Sequence, residues 1–517
     1  MSIRWLALLV LAAASAQAAE PVRIGRITID AVPVFSGAEA AHGRFYGLMN
    51  VLHVQTRVAL LRRFLLFREG DPYDPALIEE TERALRLFDF IESASVTASA
   101  PHDGVVDVAV VTHDALTTAI NADFSNEGGI AAYSADVTQK DLFGSGSSLD
   151  LHTEHGIERS GTSVELTDPA LFGPYWNLDT LYAKNSDGSE EKVAIDRPLY
   201  SYLTPWTASA LFDRLQRNER IFALGEVAAR FRHEHRELAL SRSKVLHADR
   251  DGSSSIVAAI DLLDDSFASL PERPGDVIPR ARHFRFVEAG YESTGFRFVK
   301  LDYVDRDIRE QDFNLGHFAT IRAAISPLQS SDRSSTFRLR AAAGSGYAFS
   351  ARAFVLGQIT ASTRAPRDRN TTIAIEGRFV SRFQTRYPQA FVTRARLDLG
   401  WQLDRDVQFL ADGQNGLRAY PDFAFEGSRR LIVNAEHRIF LGRELLQLVG
   451  PGVAMFADSG QAVDGPFRGM KSDAGAGLRL GISRLDALIR IDWAYAFNDS
   501  PRSRRGPVWS ISTSQAF

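Results

Sequence analysis

The sequence predicts a transmembrane β-barrel preceded by a small α+β domain, and three observations carry that prediction. From Trp401 to Phe517 apolar and polar side chains alternate with a period of two. Aromatic residues gather at the ends of the alternating runs. An export leader precedes a chain in which no stretch approaches the roughly 18–20 apolar residues of a membrane-crossing helix.

In chain order, the leader comes first. Arg4 precedes the apolar run from Trp5 to Ala14, and Ala16-Gln17-Ala18 supplies the small-x-small cleavage pattern, so residues 1–18 read as a secretory signal peptide. The run is too short to serve as a membrane anchor. An exported chain without helical spans enters a membrane only as a closed barrel, because open sheet edges are not left in lipid.

Residues 19–117 read strand, helix, helix, strand, strand. Val22, Ile24 and the stretch from Ile27 to Val32 form the first strand, with an irregular insertion from Phe35 to about Gln55. Thr56 is the expected N-cap of a helix carrying Val58, Leu60, Leu61, Phe64 and Leu65. Gly70-Asp71-Pro72 stops it, and Asp74-Pro75 starts a second helix whose Leu77, Ile78, Thr81, Leu85 and Phe88 fall near one face. Strands at Ser93–Ala98 and Val105–Val111 close the unit around the turn His102-Asp103-Gly104.

Residues 118–517 carry the barrel pattern. Leu485, Ala487, Ile489, Ile491, Trp493, Tyr495 and Phe497 share one face, opposite Asp486, Leu488, Arg490, Asp492, Ala494 and Ala496. Strand side chains alternate sides, so one face is oily and the other mostly polar. The parity repeats at Ala474 to Ile482 and Ala395 to Leu403, in runs of about 9–11 residues, the length a tilted strand needs to cross a bilayer. A soluble sandwich alternates as well. Trp401, Trp493, Tyr495, Phe497 and Trp509 at the run ends favour the aromatic girdles of a membrane barrel. The last strand, with Trp509, Ile511 and terminal Phe517, resembles the C-terminal signal of bacterial outer-membrane barrels. The tracts Asp305 to Asp312 and Thr363 to Thr372 read as water-exposed loops.

Composition narrows the partners. The 517 residues exceed one ordinary domain. The mean hydropathy of −0.14 fits a barrel whose lipid-facing residues are diluted by lumenal ones. A formal charge of −5 excludes the basic footprint of a nucleic-acid binder. The absence of cysteine excludes disulfides and thiolate metal sites.

Several stretches are similar to one family. Gly70-Asp71-Pro72-Tyr73, Glu80-Thr81-Glu82-Arg83, Leu85-Arg86 and Phe90-Ile91 resemble a POTRA domain, the polypeptide-transport-associated module. Gln139 to Gly146, Asp168 to Gly173 and Gly475-Ala476-Gly477-Leu478-Arg479 resemble motifs of the POTRA-bearing outer-membrane barrels. That superfamily, with its bacterial surface antigen family, includes the assembly factor BamA, its relative TamA and the two-partner-secretion transporters. The resemblance implies a short form with one periplasmic POTRA and a sixteen-stranded antiparallel barrel, about 25 residues per strand with its connection.

The same resemblance locates a site. Gly416, Leu417, Arg418 and Tyr420 are similar to the arginine-glycine-aromatic tip of a long loop that folds into the lumen in this superfamily, with Ala419 in the place of the usual glycine. A guanidinium there needs carboxylate partners. In the strand carrying Leu431, Val433, Ala435, His437 and Ile439 on one face, Glu436 points the other way, into the lumen. Glu436 is the first candidate partner of Arg418, and Asp458 the second.

Catalytic constellations are poor. His152-Thr153-Glu154-His155 and His233-Glu234-His235 lack the HExxH helical spacing, and Gly144-Ser145-Gly146-Ser147-Ser148 lacks both the GxSxG order and the GK[ST] ending. No catalytic residue, metal or cofactor is expected. The resemblance implies insertion or translocation of client polypeptides at the bacterial outer membrane, with lipid around the barrel and periplasmic or lipoprotein partners. A passive pore or structural surface barrel is the alternative; an outer-membrane lipid hydrolase is disfavoured because its nucleophile arrangement is missing.

Overall fold

The structure is a computed structural model that describes residues 22–34, 53–127, 130–156, 159–305, 310–327, 335–366, 369–442, 445, 449–482 and 487–512. The leader at 1–18, most of the insertion after Phe35 and the terminal Phe517 lie outside the described residues.

Strands Arg23–Val32, Ile91–Ala98 and Val105–Asp114 form one sheet with Val105–Asp114 in the centre, parallel to the first and antiparallel to the second. Helices Val58–Arg63 and Pro75–Arg86 pack on it through Leu60, Leu61, Ile78 and Leu85, which meet Ile91, Val108 and Val110 in a single core. Asp74 caps the second helix by accepting the Ala76 N–H at 3.0 Å. Asp103 and Gly104, at φ 48° and 75°, give the left-handed turn that matches the twist of the closing strands. Thr56 does not cap the first helix, whose N-cap is Arg57 without a side-chain bond. The Thr56 hydroxyl instead donates to Asp141 at 3.0 Å, in the first turn of the barrel.

That turn and the next are where the α+β unit docks. Gly146, at φ 79°, lies so close that a Cβ would sit 2.9 Å from Leu60 and 3.2 Å from the Phe90 ring. Ala170 joins the core of the α+β unit, and the Tyr175 hydroxyl donates to the Phe64 carbonyl at 2.6 Å. We call this end of the barrel proximal and the other distal.

Among the described residues the barrel is a ring of twenty antiparallel strands, from Thr118–Glu127 to Gly506–Ser512, not sixteen. Ten of them lie between Thr118 and Gly295, joined at Asn185/Gly188 and Ala223/Glu226 by turns of two residues. An average of about 25 residues per strand overlooks connections this short. The strands Trp206–Ala223, Glu226–Ala248 and Gly252–Ser269 run 18, 23 and 18 residues, about twice the length a span requires. Val433, Met455, Leu478 and Trp493 are exposed on the outer wall, as the alternation requires of a lipid-facing surface. No helix among the described residues is long and apolar enough to cross a membrane.

Two tracts differ from expectation. Thr363 and Thr371 are paired strand residues, and the connection between their strands is confined to 366–369. The 305–312 region is not a solvated loop where it is described. Phe298–Leu301 and Gln311–Asn314 form a hairpin at the proximal end, and Leu301, Val304 and Leu315 pack with Phe354, Val380, Val392 and Phe440. Its charges are held: Asp312 by Arg86, Asp305 by Arg378 and Arg438.

Candidate functional site

The lumen is built from the inward parity of four neighbouring strands. In Arg429–Phe440 burial alternates so that Arg430, Ile432, Asn434, Glu436 and Arg438 face inward. Its neighbours turn Asp458 inward from Val449–Val463, Asp473 and Arg479 from Lys471–Ile482, and Asp492 from Ala487–Ala496. Unpaired charges at such depth would be costly to desolvate, so each needs a partner.

Arg418 supplies it. The connection between Trp401 and Arg429 leaves the distal end and turns inward, and its short strands Phe409–Ala411 and Phe425–Gly427 pair with each other. Leu417, Ala419, Tyr420, Ala424 and Phe425 pack there against Ile432, Phe456, Ala462 and Ala494. Arg418 Nε and Nη2 donate to the two Asp458 oxygens at 2.7 and 3.0 Å. Nη1 donates to Glu436 Oε2 at 2.6 Å. The guanidinium lies 3.5 Å above the Phe456 ring centroid. Both candidate acids therefore engage the arginine at once, the bidentate fork going to Asp458. Arg418 is 6% exposed and Glu436 fully buried, so the pair lies away from solvent.

The remaining site residues hold the loop. The Tyr420 hydroxyl donates to the Ser472 carbonyl at 2.9 Å, and Gly416, at φ 110°, presents its carbonyl to Asn434 Nδ2 at 2.7 Å. Alanine is tolerated at 419 because the left-handed backbone falls elsewhere, on Gly416 and Phe423. Asp412 ties the base of the loop by accepting the N–H groups of Asn415 and Phe423 at 3.0 and 2.9 Å.

Sequence reasoning missed the second half of the cluster. Arg438 donates to Glu436 at 3.0 Å and to the Val304 carbonyl of the proximal hairpin at 2.7 Å. Arg479 donates to Glu436 at 3.2 Å and to Asp492 at 2.6 Å. Gly477 makes room for that last pair: a Cβ there would lie 1.9 Å from Asp492 Oδ1. The inward parity of Arg438 and Arg479 was the available signal. Trp509 and Ile511 are exposed on the last described strand and carry no lumenal contact role.

At the seam the last strand meets the first through Ser510↔Ser125 and Ile511↔Phe124, two residue pairs among the described residues. Neighbours elsewhere in the ring share seven or more, as in Arg490–Ala496 with Gly506–Ser512.

No family model matches the sequence, and no curated protein matches it. Among solved structures, CdiB from Acinetobacter baumannii is 11% identical over 95% of this chain and 74% of its own, with a TM-score of 0.50. CdiB from Escherichia coli is 12% identical, covering 95% and 76%, with a TM-score of 0.49. BamA from Haemophilus ducreyi lacking POTRA domains 1–3 is 11% identical, covering 95% and 84%, with a TM-score of 0.40. At such identities the likeness is one of fold, and the first of the three carries it. The chain therefore shares the barrel fold of CdiB.

Proposed function

We propose that this chain inserts or translocates other polypeptides at the bacterial outer membrane, by a mechanism with no covalent step. The observation that carries the reading is the seam between first and last strands, of which two residue pairs are described. Passage through the lumen would first have to expel two packed loops and break buried ion pairs, each partner lost costing about 3–5 kcal/mol. Parting the seam breaks the bonds of the two described residue pairs, and because open edges are not left in lipid, the freed edges must be paired again by a client strand. The lateral route leaves the packed loops and the buried ion pairs in place. The two loops packed inside the wall also speak against a passive pore.

Reception of the client falls to the α+β unit, whose elements follow the POTRA-like order. Strand Ile91–Ala98 is a sheet edge, paired among the described residues on its Val105–Asp114 side, with Ser93, Ser95 and Thr97 exposed and the Val96 N–H held by Glu82. An extended client adds to such an edge through its main chain. The opposite edge is engaged, since Ile24 bonds the backbone of Gly70 and Asp71. Tyr73 and Leu77 pack against the unit's own core and suit capture less well.

A photo-crosslinking residue at Ser95 or Thr97 in living cells tests this. The expected products are adducts with unfolded envelope polypeptides, absent when the probe stands at Glu79 on the exposed helix face. Equal capture at both positions, or solute conductance that survives removal of the α+β unit, would favour the pore.

A further inference from the structure

We propose that His233, His235 and Asp265 form a binding site for a divalent transition-metal ion of the zinc type, on the lumenal wall toward the distal end. The two histidines are two apart on Glu226–Ala248, so a strand places both rings on one face; the helical spacing HExxH is irrelevant to this geometry. Asp265 is the register partner of His235 on the adjacent strand. His233 Nε2 lies 3.0 Å and His235 Nδ1 2.8 Å from the same oxygen, Asp265 Oδ1. All three ligand atoms fall within 4.8 Å of one another. Tetrahedral zinc with bonds of about 2.0–2.2 Å sets its ligand atoms roughly 3.4 Å apart, a little beyond the two nitrogen–oxygen distances and inside that limit. Small rotations of the side chains reach it, and a fourth position stays open for water or another ligand.

The surroundings are those of a metal site rather than of a chance cluster. Metal-binding histidines turn their second nitrogen to a carboxylate, which fixes the tautomer. His233 Nδ1 lies 3.4 Å from Glu219 Oε1, and His235 Nε2 lies 3.7 Å from Glu237 Oε2. The second Asp265 oxygen accepts from Arg282 Nε at 3.1 Å, which leaves Oδ1 to the ion. Arg282 in turn holds Asp406 of the long connection at 2.7 and 2.8 Å. His233 stacks on Phe267 at 4.6 Å and 11°, an apolar wall that limits its rotation. A bound ion would thus fasten two wall strands and, through Arg282, the base of the inward loop.

Cobalt(II) is the probe. The full-length chain in detergent, stripped with chelator and titrated with Co2+, should take up one equivalent with the visible absorption of a tetrahedral centre, and Zn2+ should displace it. Asp265→Asn and His235→Gln should each weaken binding at least tenfold. Glu219→Gln keeps all three ligands and should weaken it by about 10-fold to 100-fold, which separates loss of the site from loss of the fold. His152→Gln, outside the cluster, should change nothing. A wild-type chain that takes up no Co2+, or binding unaltered in Asp265→Asn and His235→Gln, overturns the proposal.

Discussion

Arg438 donates a 2.7 Å hydrogen bond to the Val304 carbonyl, and through that contact two loops entering the barrel from opposite ends are joined. Val304 belongs to the proximal hairpin; the other side of Arg438 holds Glu436, which accepts from Arg418 of the distal loop. The hairpin is in turn fixed to the α+β unit by Arg86 and Asp312 at 2.9 Å. Ion pairs and one main-chain contact thus link the α+β unit, through the hairpin, to the loop tip.

Arg418→Ala is expected to destabilise the barrel by about 3–5 kcal/mol, because the buried Asp458 would lose its guanidinium partner and Glu436 would keep only Arg438 and Arg479. Arg418→Lys should recover only part of this, since an ammonium does not reproduce the fork to Asp458. Thermal unfolding in detergent measures both. A loss below about 1 kcal/mol for Arg418→Ala would show that water reaches the pair.

Arg86 and Asp312 are each almost enclosed, at 7% side-chain exposure. A double-mutant cycle with Arg86→Ala and Asp312→Ala should return a coupling of about 0.5–3 kcal/mol. Either substitution should also make the hairpin more sensitive to protease. Additive effects with unchanged cleavage would mean that the α+β unit does not hold the hairpin.

Acid should loosen the same junction. Burial alone raises the Glu82 carboxyl, but the Val96 N–H at 3.0 Å and the Arg86 guanidinium outweigh it and hold the group below the ordinary glutamate range. A carboxyl depressed in the folded state gives stability that is complete above its unfolded value of about 4.3 and lost as pH falls through the folded one. The opening free energy at the Val96 amide, read by hydrogen exchange, should therefore be flat near neutral pH and decline below about 4.3. Glu82→Gln should remove that decline; an unchanged acid limb would assign it to another group.

Much of this was legible from parity alone. The faces assigned to Arg490, Asp492, Ala494 and Trp493 follow from period two, as does the inward side chain of Glu436, and the structure places them accordingly. The number of strands was not legible, because it was carried over from relatives whereas two-residue turns such as the one after Asn185 set it here. The proximal hairpin was misread because Asp305 and Asp312 look solvated in sequence. Their partners Arg378, Arg438 and Arg86 lie 73, 133 and 226 residues away, beyond any local pattern. Thr56 was misread for the same reason, since its hydroxyl answers to Asp141 rather than to its own helix. His233 and His235 lie in a strand, as their tract suggests, but their partner Asp265 on the next strand was beyond a local pattern.

The lateral route is tested most directly by locking the seam. The chain has no cysteine, so Ser125→Cys with Ser510→Cys introduces a single disulfide across the first and last strands. Ser459→Cys with Ser472→Cys makes an equivalent bond inside the wall as a control. The envelope proteome of cells carrying each form is then compared before and after reduction. Loss of client proteins with the seam bond alone, restored by reductant, is the predicted result; client levels that stay normal while the seam is fully oxidised would contradict passage by this route.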